Sequence, residues 1–354
     1  MQRVVFLSYR RSTIVSITRR AATLTLACLA VIGTGGAKAA EGDPKKVTTA
    51  EVREPASKAC SKGRTYKIAY SHSVSEAAIV KQIRTFATRR ATELGCVTVL
   101  HDNTQANNLE QQINAVQGWI TLGVDAIVVT PIDVTALKPL QKQAQTKNIK
   151  WLTYLGRMDN SDGFVGFDHE QSGQLIANAA IDWVKSQGIT KPRALVTTLT
   201  GLPLLSPRWT EVEKLFAKAG IEVVAKQDAA DQATGLTVTE TVLRQHPDLD
   251  IVIGLNDDAA VGANRAVTVA GISPDKFFIG GQDGSLEGLT AVNQGKAYKA
   301  SAAILINDLG ANIVDLSLNA INGDGPSFAY TPTVLATKKD QPLLDKLLAN
   351  YGKK

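Results

Sequence analysis

From Tyr66 onward the chain alternates short apolar runs with stretches of helical length. The apolar runs include "AIVVT" (126–130) and "DIVIGL" (250–255), and stretches such as "NNLEQQINAVQGWITLG" (107–123) lie between them. Strand, helix and strand repeated in this way predict parallel sheets with right-handed crossovers. The strands are too numerous for one compact sheet, and 354 residues exceed one small domain. We therefore predict an α/β fold of two doubly wound, Rossmann-like lobes.

A similarity between two segments of the chain supports the prediction of two lobes. The segment "GVDAIVVTPIDVTAL" (123–137) in the first half matches "DLDIVIGLNDDAAVGA" (248–263) in the second half. Each has an acidic residue, an apolar strand, a polar cluster and an Ala-rich helix, in that order. The second segment places Asn256, Asp257 and Asp258 directly after a strand.

Residues 1–39 have the features of a secretory signal peptide. Arginines precede the apolar run "AATLTLACLAVI" (21–32), and small residues ending in "AKA" (37–39) follow it. The run is too short to span a bilayer. We expect cleavage after Ala39 and export to the periplasm, by either the Sec or the twin-arginine route, and we expect residues 40–64 to form an unpatterned leader.

The charge balance argues against nucleic acid as a partner. Residues 1–39 contain Lys and Arg but no Asp or Glu, and the rest of the chain has equal numbers of acidic and basic residues. A neutral chain offers no electrostatic footprint for nucleic acid or for acidic membranes. The composition, 44% hydrophobic and 20% charged, is that of a globular protein.

Two cysteines, Cys60 and Cys96, remain after the signal peptide. Cys60 precedes the predicted strand "YKIAYS", and Cys96 begins the predicted strand "CVTVLHD". An oxidising compartment permits a disulfide, and the two cysteines lie at the same sheet edge if the strands are neighbours. Two unpaired thiols are the alternative.

Polar side chains follow many of the predicted strands, at the edge where open parallel sheets bind ligands. These segments are Ser71-His72-Ser73, Asp102-Asn103, Thr130 to Asp133, Arg157, the loop to Arg208, Asn256-Asp257 and Gln282-Asp283. Such acids, amides and arginines donate and accept in fixed directions, which suits a small ligand with many hydroxyls. Glu76 lies close behind the first strand. The candidate ligand-binding residues are Ser71, His72, Ser73, Glu76, Arg157, Arg208, Asn256 and Asp283.

Several of these polar residues have a purely structural interpretation. Asp133 precedes an apolar helical run and is expected to cap that helix. At the start of the later helix we expect Asn256 to contact the ligand and Asp257 or Asp258 to act as the cap. For Glu76 the alternative is a place in the first turn of a helix, and Asp283 could be a turn residue before a glycine.

Arg208 is the least expected of the candidates. It lies in the first turn of a helix that begins at Ser206 and Pro207. A cation there opposes the helix dipole, at a cost of about 0.3–1 kcal/mol. We therefore expect a ligand hydroxyl or a carboxylate beside Arg208.

The sequence carries no motif for catalysis or metal binding. The histidines are His72, His101, His169 and His246, and no two of them have metal-ligand spacing. There is no G-x-S-x-G elbow, phosphate-binding loop or dinucleotide fingerprint. We expect a binding protein, not an enzyme, without cofactor or metal. A secreted hydrolase with two converging acids has no diagnostic spacing and stays open as an alternative.

Four segments are specific in their order and spacing: "GVDAIVVTPIDVTAL", "GFDHEQSGQLIA", "RQHPDLDIVIGLNDDAAVGANRAV" and "IGGQDGSLEGLTAVNQGK". They resemble the type I periplasmic solute-binding proteins of ABC transporters, in the ribose-binding family, over nearly the whole chain after the signal peptide. The resemblance implies two lobes that are joined by three hinge crossings and close on a sugar. We expect a first lobe of 65–162 plus 304–328 and a second lobe of 163–303 plus 329–350.

The resemblance also implies ligand-binding residues and partners. The positions that match the family's binding residues are Arg157, Arg208, Asn256 and Asp283. The family's two stacking aromatics are replaced by Ile79 and Val80, which implies a different sugar, a polyol or another small polar solute. The implied partner is an ABC permease in the inner membrane, with the chain acting as a monomer. A ligand-loaded sensor that docks on a membrane receptor kinase is the alternative.

Overall fold

The computed structural model describes residues 43–76 and 78–352, so the signal peptide expected at 1–39 lies outside them. The described strands form two sheets. In spatial order, the first contains β1 (Lys45–Lys46), β12 (Phe328–Thr331), β6 (Gly163–Phe167), β5 (Lys150–Tyr154), β4 (Ala126–Val129), β2 (Tyr66–Ser71) and β3 (Val97–His101). The second contains β13 (Thr333–Thr337), β11 (Tyr298–Ile304), β10 (Phe278–Asp283), β9 (Ile251–Ile253), β7 (Arg193–Thr198) and β8 (Glu222–Asp228).

Helices cover both faces of each sheet. They are α1 (Thr49–Ala59), α2 (Ala78–Leu94), α3 (Leu109–Leu122), α4 (Val134–Thr146), α5 (His169–Gln187), α6 (Pro207–Ala219), α7 (Gln232–Gln245), α8 (Asp257–Val269), α9 (Leu286–Gln294), α10 (Ile306–Asn322) and α11 (Gln341–Gly352). All neighbouring strands pair in parallel except β11 and β13, which are antiparallel. The predicted class of two doubly wound α/β lobes is therefore confirmed.

The central strands are apolar throughout because both of their faces are buried. Every residue of β4 and of β9 is buried. Successive residues of β2 enter different cores: Ile68 packs among residues of α2 and α10, whereas Ala69 packs among residues of α3 and α4. A buried run of this kind cannot form a one-sided sheet, so helices are required on both sides.

Side-chain caps set where several helices begin. Asp133 accepts a hydrogen bond from the Ala136 N–H at the start of α4, which confirms it as a cap. Other helices begin with the same arrangement, in which a short polar side chain accepts from the backbone three residues later. These caps are Thr48, Asn108, Asp168, Asp231, Asn256 and Ser285.

The leader expected over residues 40–64 is wrong for its described part, because α1 lies there. Thr48 and Glu51 form a reciprocal capping box at its start. The helix buries a stripe of small apolar residues against α10. The stripe consists of Val52, Ala56 and Ala59. Its short side chains give a weak helical pattern, and Pro55 inside the helix weakens that pattern further.

The lobe boundaries also differ from those expected. Residues 163–167 and 329–331 belong to strands of the first sheet, β6 and β12, and not to the second lobe. The backbones approach closely here: a side chain at Gly163 would come within 2.6 Å of the Ser327 carbonyl oxygen. Because β6 is a short apolar strand beside a turn, its sequence fits either sheet.

The described chain passes between the two sheets three times. The crossings follow β6 at Asp168, follow β11 at Leu305 and follow β12 at Pro332. The second and third lie side by side, because the Leu305 N–H donates to the Pro332 carbonyl at 3.1 Å. The three connections implied by the resemblance are therefore present.

Cys60 and Cys96 form a disulfide, which decides between the two alternatives left by the sequence. Cys60 begins a short turn of 3₁₀-helix after α1, and Cys96 immediately precedes β3. Their Cα atoms are 5.7 Å apart, within the usual range for a disulfide. The bond ties α1 to the amino ends of the strands, away from the edge at which parallel sheets bind ligands.

None of the helices in the described ranges is long and apolar enough to cross a membrane.

Candidate ligand-binding cleft

A cavity of about 200 Å³ lies where residues from the carboxyl ends of both sheets meet. Residues that follow β2 and β4 line it from the first sheet, and residues that follow β7 and β9 line it from the second. In each sheet these two strands are neighbours whose following strands lie in opposite directions, which is the topological switch point where open α/β sheets bind ligands. The volume is below the 300–1,000 Å³ or so of sites for drug-sized ligands, so the cavity suits a small solute.

The polar groups of the cavity come from both sheets. They are His72, Ser73, Thr130, Tyr154, Arg208, Asn256 and Asp283. Of the eight residues selected from the sequence, five are in this group and three are not.

The Arg208 guanidinium contacts four other residues. Its Nη1 lies 2.7 Å from Asp283 Oδ1 and donates to the Leu255 carbonyl at 3.0 Å. Its Nε donates to His169 Nδ1 at 3.1 Å, and its guanidinium lies 5.0 Å from the ring centroid of Phe167. The carboxylate expected beside Arg208 is thus Asp283. Because Phe167 belongs to the first sheet and α6 packs on the second, Arg208 also bridges the two lobes.

Asp283 has a strained backbone. Its φ is 117°, a region that residues with a side chain rarely adopt and that costs about 1–3 kcal/mol. Burial raises the pKa of the Asp283 carboxyl, and the Arg208 guanidinium opposes that rise. This backbone conformation directs the Asp283 carboxylate, at the end of β10, toward Arg208.

Asn256 is itself the cap of α8, so the expectation that Asp257 or Asp258 is the cap is wrong. Asn256 has extended backbone, and its Oδ1 accepts from the Ala259 N–H at 2.9 Å. Its Nδ2 donates to the Ala230 carbonyl at 2.7 Å. An amide has a second N–H and a second lone pair, so Asn256 can cap the helix and still contact a solute in the cavity.

Asp257 follows Asn256 directly and is almost fully buried. It accepts from the Tyr298 hydroxyl at 2.7 Å, the Ser301 hydroxyl at 2.8 Å and the Ser285 N–H at 2.7 Å. Burial, and next the nearby charge of Asp283, raise its pKa to about 7. These bonds connect the start of α8 to the turn that follows Asp283.

Two glycines make room for the Asp257 carboxylate. A side chain at Gly281 would lie 2.2 Å from its Oδ1, and one at Gly288 would lie 2.4 Å from its carboxyl carbon. Sequence reasoning missed this cradle. The only signal was the glycine spacing in "IGGQDGSLEG" (279–288), which by itself does not name the residue that needs the space.

His72 offers a donor to the cavity from the first sheet. Its Nδ1 accepts from the Val74 N–H at 3.0 Å, and burial lowers its pKa to about 4. The ring is therefore neutral near pH 7, and the proton lies on Nε2. Its ring contacts that of Tyr154, with centroids 5.6 Å apart.

Ser71 does not reach the cavity. It is fully buried, its hydroxyl donates to Asp102 Oδ2, and it accepts from Gln112 Nε2. The Asp102 carboxylate also binds the hydroxyls of Ser75 and Thr104. Ser71 is the last residue of β2 and belongs to this internal network, whereas the two residues after it line the cavity.

Glu76 and Arg157 also lie away from the cavity. Glu76 pairs with Lys81 at 2.9 Å on the surface. Arg157 is exposed and pairs with Asp43 at 3.2 Å. The chain turns sharply before Arg157, since Leu155 has a φ of 60°, and this turn puts the Leu155 side chain in the cavity in place of the arginine.

Two polar residues of the cavity were not selected from the sequence. Thr130 follows β4, and its buried Oγ1 has no hydrogen-bond partner among the described residues. Tyr154 is the last residue of β5 and is almost fully buried. Thr130 follows a predicted strand, as the selected candidates do. Tyr154 lies within a strand, and nothing in the sequence distinguishes it from a core residue.

Most of the cavity wall is apolar, which the polar residues behind the strands did not indicate. One part comes from the start of α2, and another comes from the loop between β7 and α6. The apolar residues of these two parts are Ile79, Val80, Ile83, Leu199, Leu202, Leu204 and Leu205. Of these, Ile79 and Val80 match the positions of the family's stacking aromatics, whereas the other five were missed because they lie further along that helix or inside the loop.

The residues that the structure describes contain no group of three or more His, Cys, Asp or Glu side chains placed to hold an ion.

Two α/β lobes, three crossings between them and a small cavity at the carboxyl ends of their strands define a type I solute-binding fold. The chain belongs to the periplasmic binding protein domain family, which matches residues 37–325. That family is periplasmic and consists of binding proteins and not of enzymes, as expected from the sequence.

The chain is similar to several proteins that are named for the sugars they bind. It is 30% identical to the D-xylose-binding periplasmic protein of Escherichia coli (strain K12), over 64% of this chain and 73% of that protein. It is 27% identical to the ribose import binding protein RbsB of the same organism, over 69% and 81% respectively. A solved ABC transporter periplasmic solute binding protein from Actinobacillus succinogenes 130z with bound D-allose is 26% identical. The two structures superpose with a TM-score of 0.69, and the match covers 79% of this chain and 100% of that protein.

Proposed function

We propose that this chain is the exported substrate-binding subunit of an ABC importer. It captures a small sugar or polyol in the cavity by closure of the two lobes and presents it to a permease in the inner membrane. It acts as a monomer. The solute is bound by five of the residues selected from the sequence, with Thr130 and Tyr154 in addition. Those five residues are His72, Ser73, Arg208, Asn256 and Asp283.

The observation that carries this proposal is the Arg208–Asp283 pair at the cavity wall. The pair holds a cation and a carboxylate 2.7 Å from each other at the wall of the cavity. A hydroxyl is both a donor and an acceptor, so it can bind to such a pair without leaving either charge unpaired. A preformed pair of this kind selects neutral hydroxylated solutes over ions, because an ion would have to displace one of its members.

Closure uses the three crossings at Asp168, Leu305 and Pro332 as hinges. Each sheet moves with the helices packed on it, and the cavity lies between the two moving units. Export relies on the signal peptide features of residues 1–39, and the relatives that function in periplasmic import support both the location and the permease as partner.

Thermal-shift screening of the purified protein against sugars, polyols, amino acids and carboxylates tests the proposal. A bound solute stabilises the folded state by mass action, by about 2.7 kcal/mol at 100 times its Kd. We expect a sugar or polyol to raise the Tm and to make the particle more compact in small-angle X-ray scattering. If amino acids or carboxylates raise the Tm and no sugar or polyol does, the proposal fails.

A further inference from the structure

We propose that the solute carries a methyl group or a deoxygenated carbon beside its hydroxyls, as a deoxy or O-methylated sugar or polyol does. This inference rests on the proposed function, since it concerns the same cavity. It follows from two features of the wall, which are the small number of polar groups left for a solute and the apolar surface supplied by α2 and the loop before α6.

The charged and amide groups of the cavity are largely engaged with the protein. Arg208 already binds Asp283, His169 and the Leu255 carbonyl. Asn256 already binds two backbone groups, one of them at the start of α8. A solute can therefore use only part of the hydrogen-bonding capacity that these side chains have.

The first sheet contributes four further polar groups. His72 has one free ring nitrogen, because its other nitrogen accepts from Val74. Thr130 has a buried hydroxyl without a partner among the described residues, and Ser73 and Tyr154 add one hydroxyl each. A ring with a hydroxyl on every carbon presents one donor and two acceptor positions for each hydroxyl. The groups that remain do not match that number, so some hydroxyls of such a ring would face carbon.

The apolar part of the wall is suited to carbon. Val80 and Ile83 are 1% and 2% exposed and are fixed in the core of the first lobe, so they cannot turn away from the cavity. Phe167 adds a ring that the Arg208 guanidinium covers on one side. A hydroxyl facing this surface without a partner weakens binding by about five- to 150-fold.

Leu202 and Leu204 extend the apolar surface to the mouth of the cavity. They are 37% and 40% exposed; Leu204 lies in the short 3₁₀ turn Pro203–Leu205, and Leu202 directly precedes that turn. Exposed leucines on a loop that lines a cavity are covered when a solute binds or the lobes close. A methyl group that packs against them tightens binding by about fourfold.

Calorimetric titration with matched pairs of solutes tests the inference on the whole protein. The pairs are D-galactose with 6-deoxy-D-galactose, L-galactose with 6-deoxy-L-galactose, myo-inositol with its mono-O-methyl ethers, and D-ribose with 2-deoxy-D-ribose. We expect the deoxy or methylated member of at least one pair to bind at least fivefold more tightly. If the fully hydroxylated member binds as tightly or more tightly in every pair that binds, the inference is overturned and the proposed function stands. If no sugar or polyol binds and another solute class does, the proposed function fails as well.

A variant of the apolar surface links the preference to the wall. Leu204→Asn lies in an exposed loop and should fold normally, and we expect it to reduce the preference within the pair at least threefold. The matched control is Leu122→Asn, which changes a 53% exposed leucine at the end of α3, outside the cavity wall. An unchanged preference in Leu204→Asn together with Leu202→Asn would overturn the role of the leucines and with it the inference.

Discussion

Arg208 and Asp283 form an ion pair that is largely shielded from solvent. The side chains are only 5% and 19% exposed, and Nη1 and Oδ1 are 2.7 Å apart. Arg208 lies in the first turn of α6, where the helix dipole disfavours a cation, and Asp283 has a strained backbone. Each residue is thus in an unfavourable position that the other compensates, which ties the start of α6 to the end of β10.

Arg208→Ala is expected to weaken solute binding by about 1–3 kcal/mol, the cost of leaving a buried polar partner unsatisfied. The same change leaves the Asp283 carboxylate without its cation, so the free energy of unfolding should also fall, by up to about 3–5 kcal/mol. Titration calorimetry and urea unfolding measure the two effects. Arg244→Ala, which removes an exposed arginine from α7, is the control and should change neither. Unchanged affinity in Arg208→Ala would remove Arg208 from the binding site.

Asn256→Ala should reduce both stability and affinity, because the amide caps α8 and lines the cavity. Loss of a cap costs about 0.5–2 kcal/mol, and the loss in affinity should be about 1–3 kcal/mol. Asn108→Ala is the matched control, since Asn108 caps α3 outside the cavity wall. We expect urea unfolding to show the loss of a cap in both variants, with the larger destabilisation in Asn256→Ala because it also loses the bond to the Ala230 carbonyl. Calorimetry should show weaker binding only in Asn256→Ala. Equal affinities in the two variants would mean that Asn256 is only a cap.

The order of the elements could be predicted from the sequence because it rests on local patterns. Runs such as "AIVV" and "IVI" are apolar at every position, which indicates strands that are buried on both faces. The polar residues that follow them mark helix starts. Where the pattern is made of small residues, as in Val52, Ala56 and Ala59, the element was missed. The sheet to which a short strand such as β6 belongs depends on contacts distant in sequence, and no local pattern contains that information.

The candidate site could be predicted only in part, for a similar reason. Position behind a strand brings a residue to the right edge of the sheet, but the backbone there decides the direction of its side chain. The turn at Leu155 removes Arg157 from the cavity, and Asp102 draws Ser71 into the interior. The resemblance identified Ile79 and Val80 of the apolar wall. Leu202 and Leu204 were missed because only polar residues were selected from the loop to Arg208.

Removing the disulfide should lower stability and leave solute binding intact. The bond closes a loop between residues 36 positions apart, which corresponds to about 3–4 kcal/mol of unfolded-chain entropy. The double variant Cys60→Ser, Cys96→Ser should therefore have a clearly lower Tm than the oxidised protein, with the same Kd for the solute. The reduced wild-type protein provides the control, because it lacks the bond without a change of sequence. A large loss of affinity would contradict the placement of the bond away from the cavity.

Asp257 should make stability depend on pH in a definite direction. Its pKa is about 7 in the folded protein, well above the ordinary value near 3.9 that it regains on unfolding. Between these values the folded state binds the proton more tightly. The contribution of Asp257 to the free energy of unfolding is therefore fully present below pH 4 or so and is lost as the pH rises through 7.

Asp257→Asn removes this dependence, because an amide does not titrate and can still accept from the Ser285 N–H while it donates to a hydroxyl. We expect the stability of the wild-type protein relative to this variant to fall between pH 4 and 7, by up to about 1.4 kcal/mol per pH unit, and then to level off. Urea unfolding at a series of pH values measures the difference, in which Asp315 and other titrating groups common to both proteins cancel. Asp159→Asn, which alters a side chain that is 87% exposed, is the control and should run parallel to the wild type. A difference that rises with pH would show that Asp257 is held as a carboxylate, paired more strongly than its three hydrogen bonds account for.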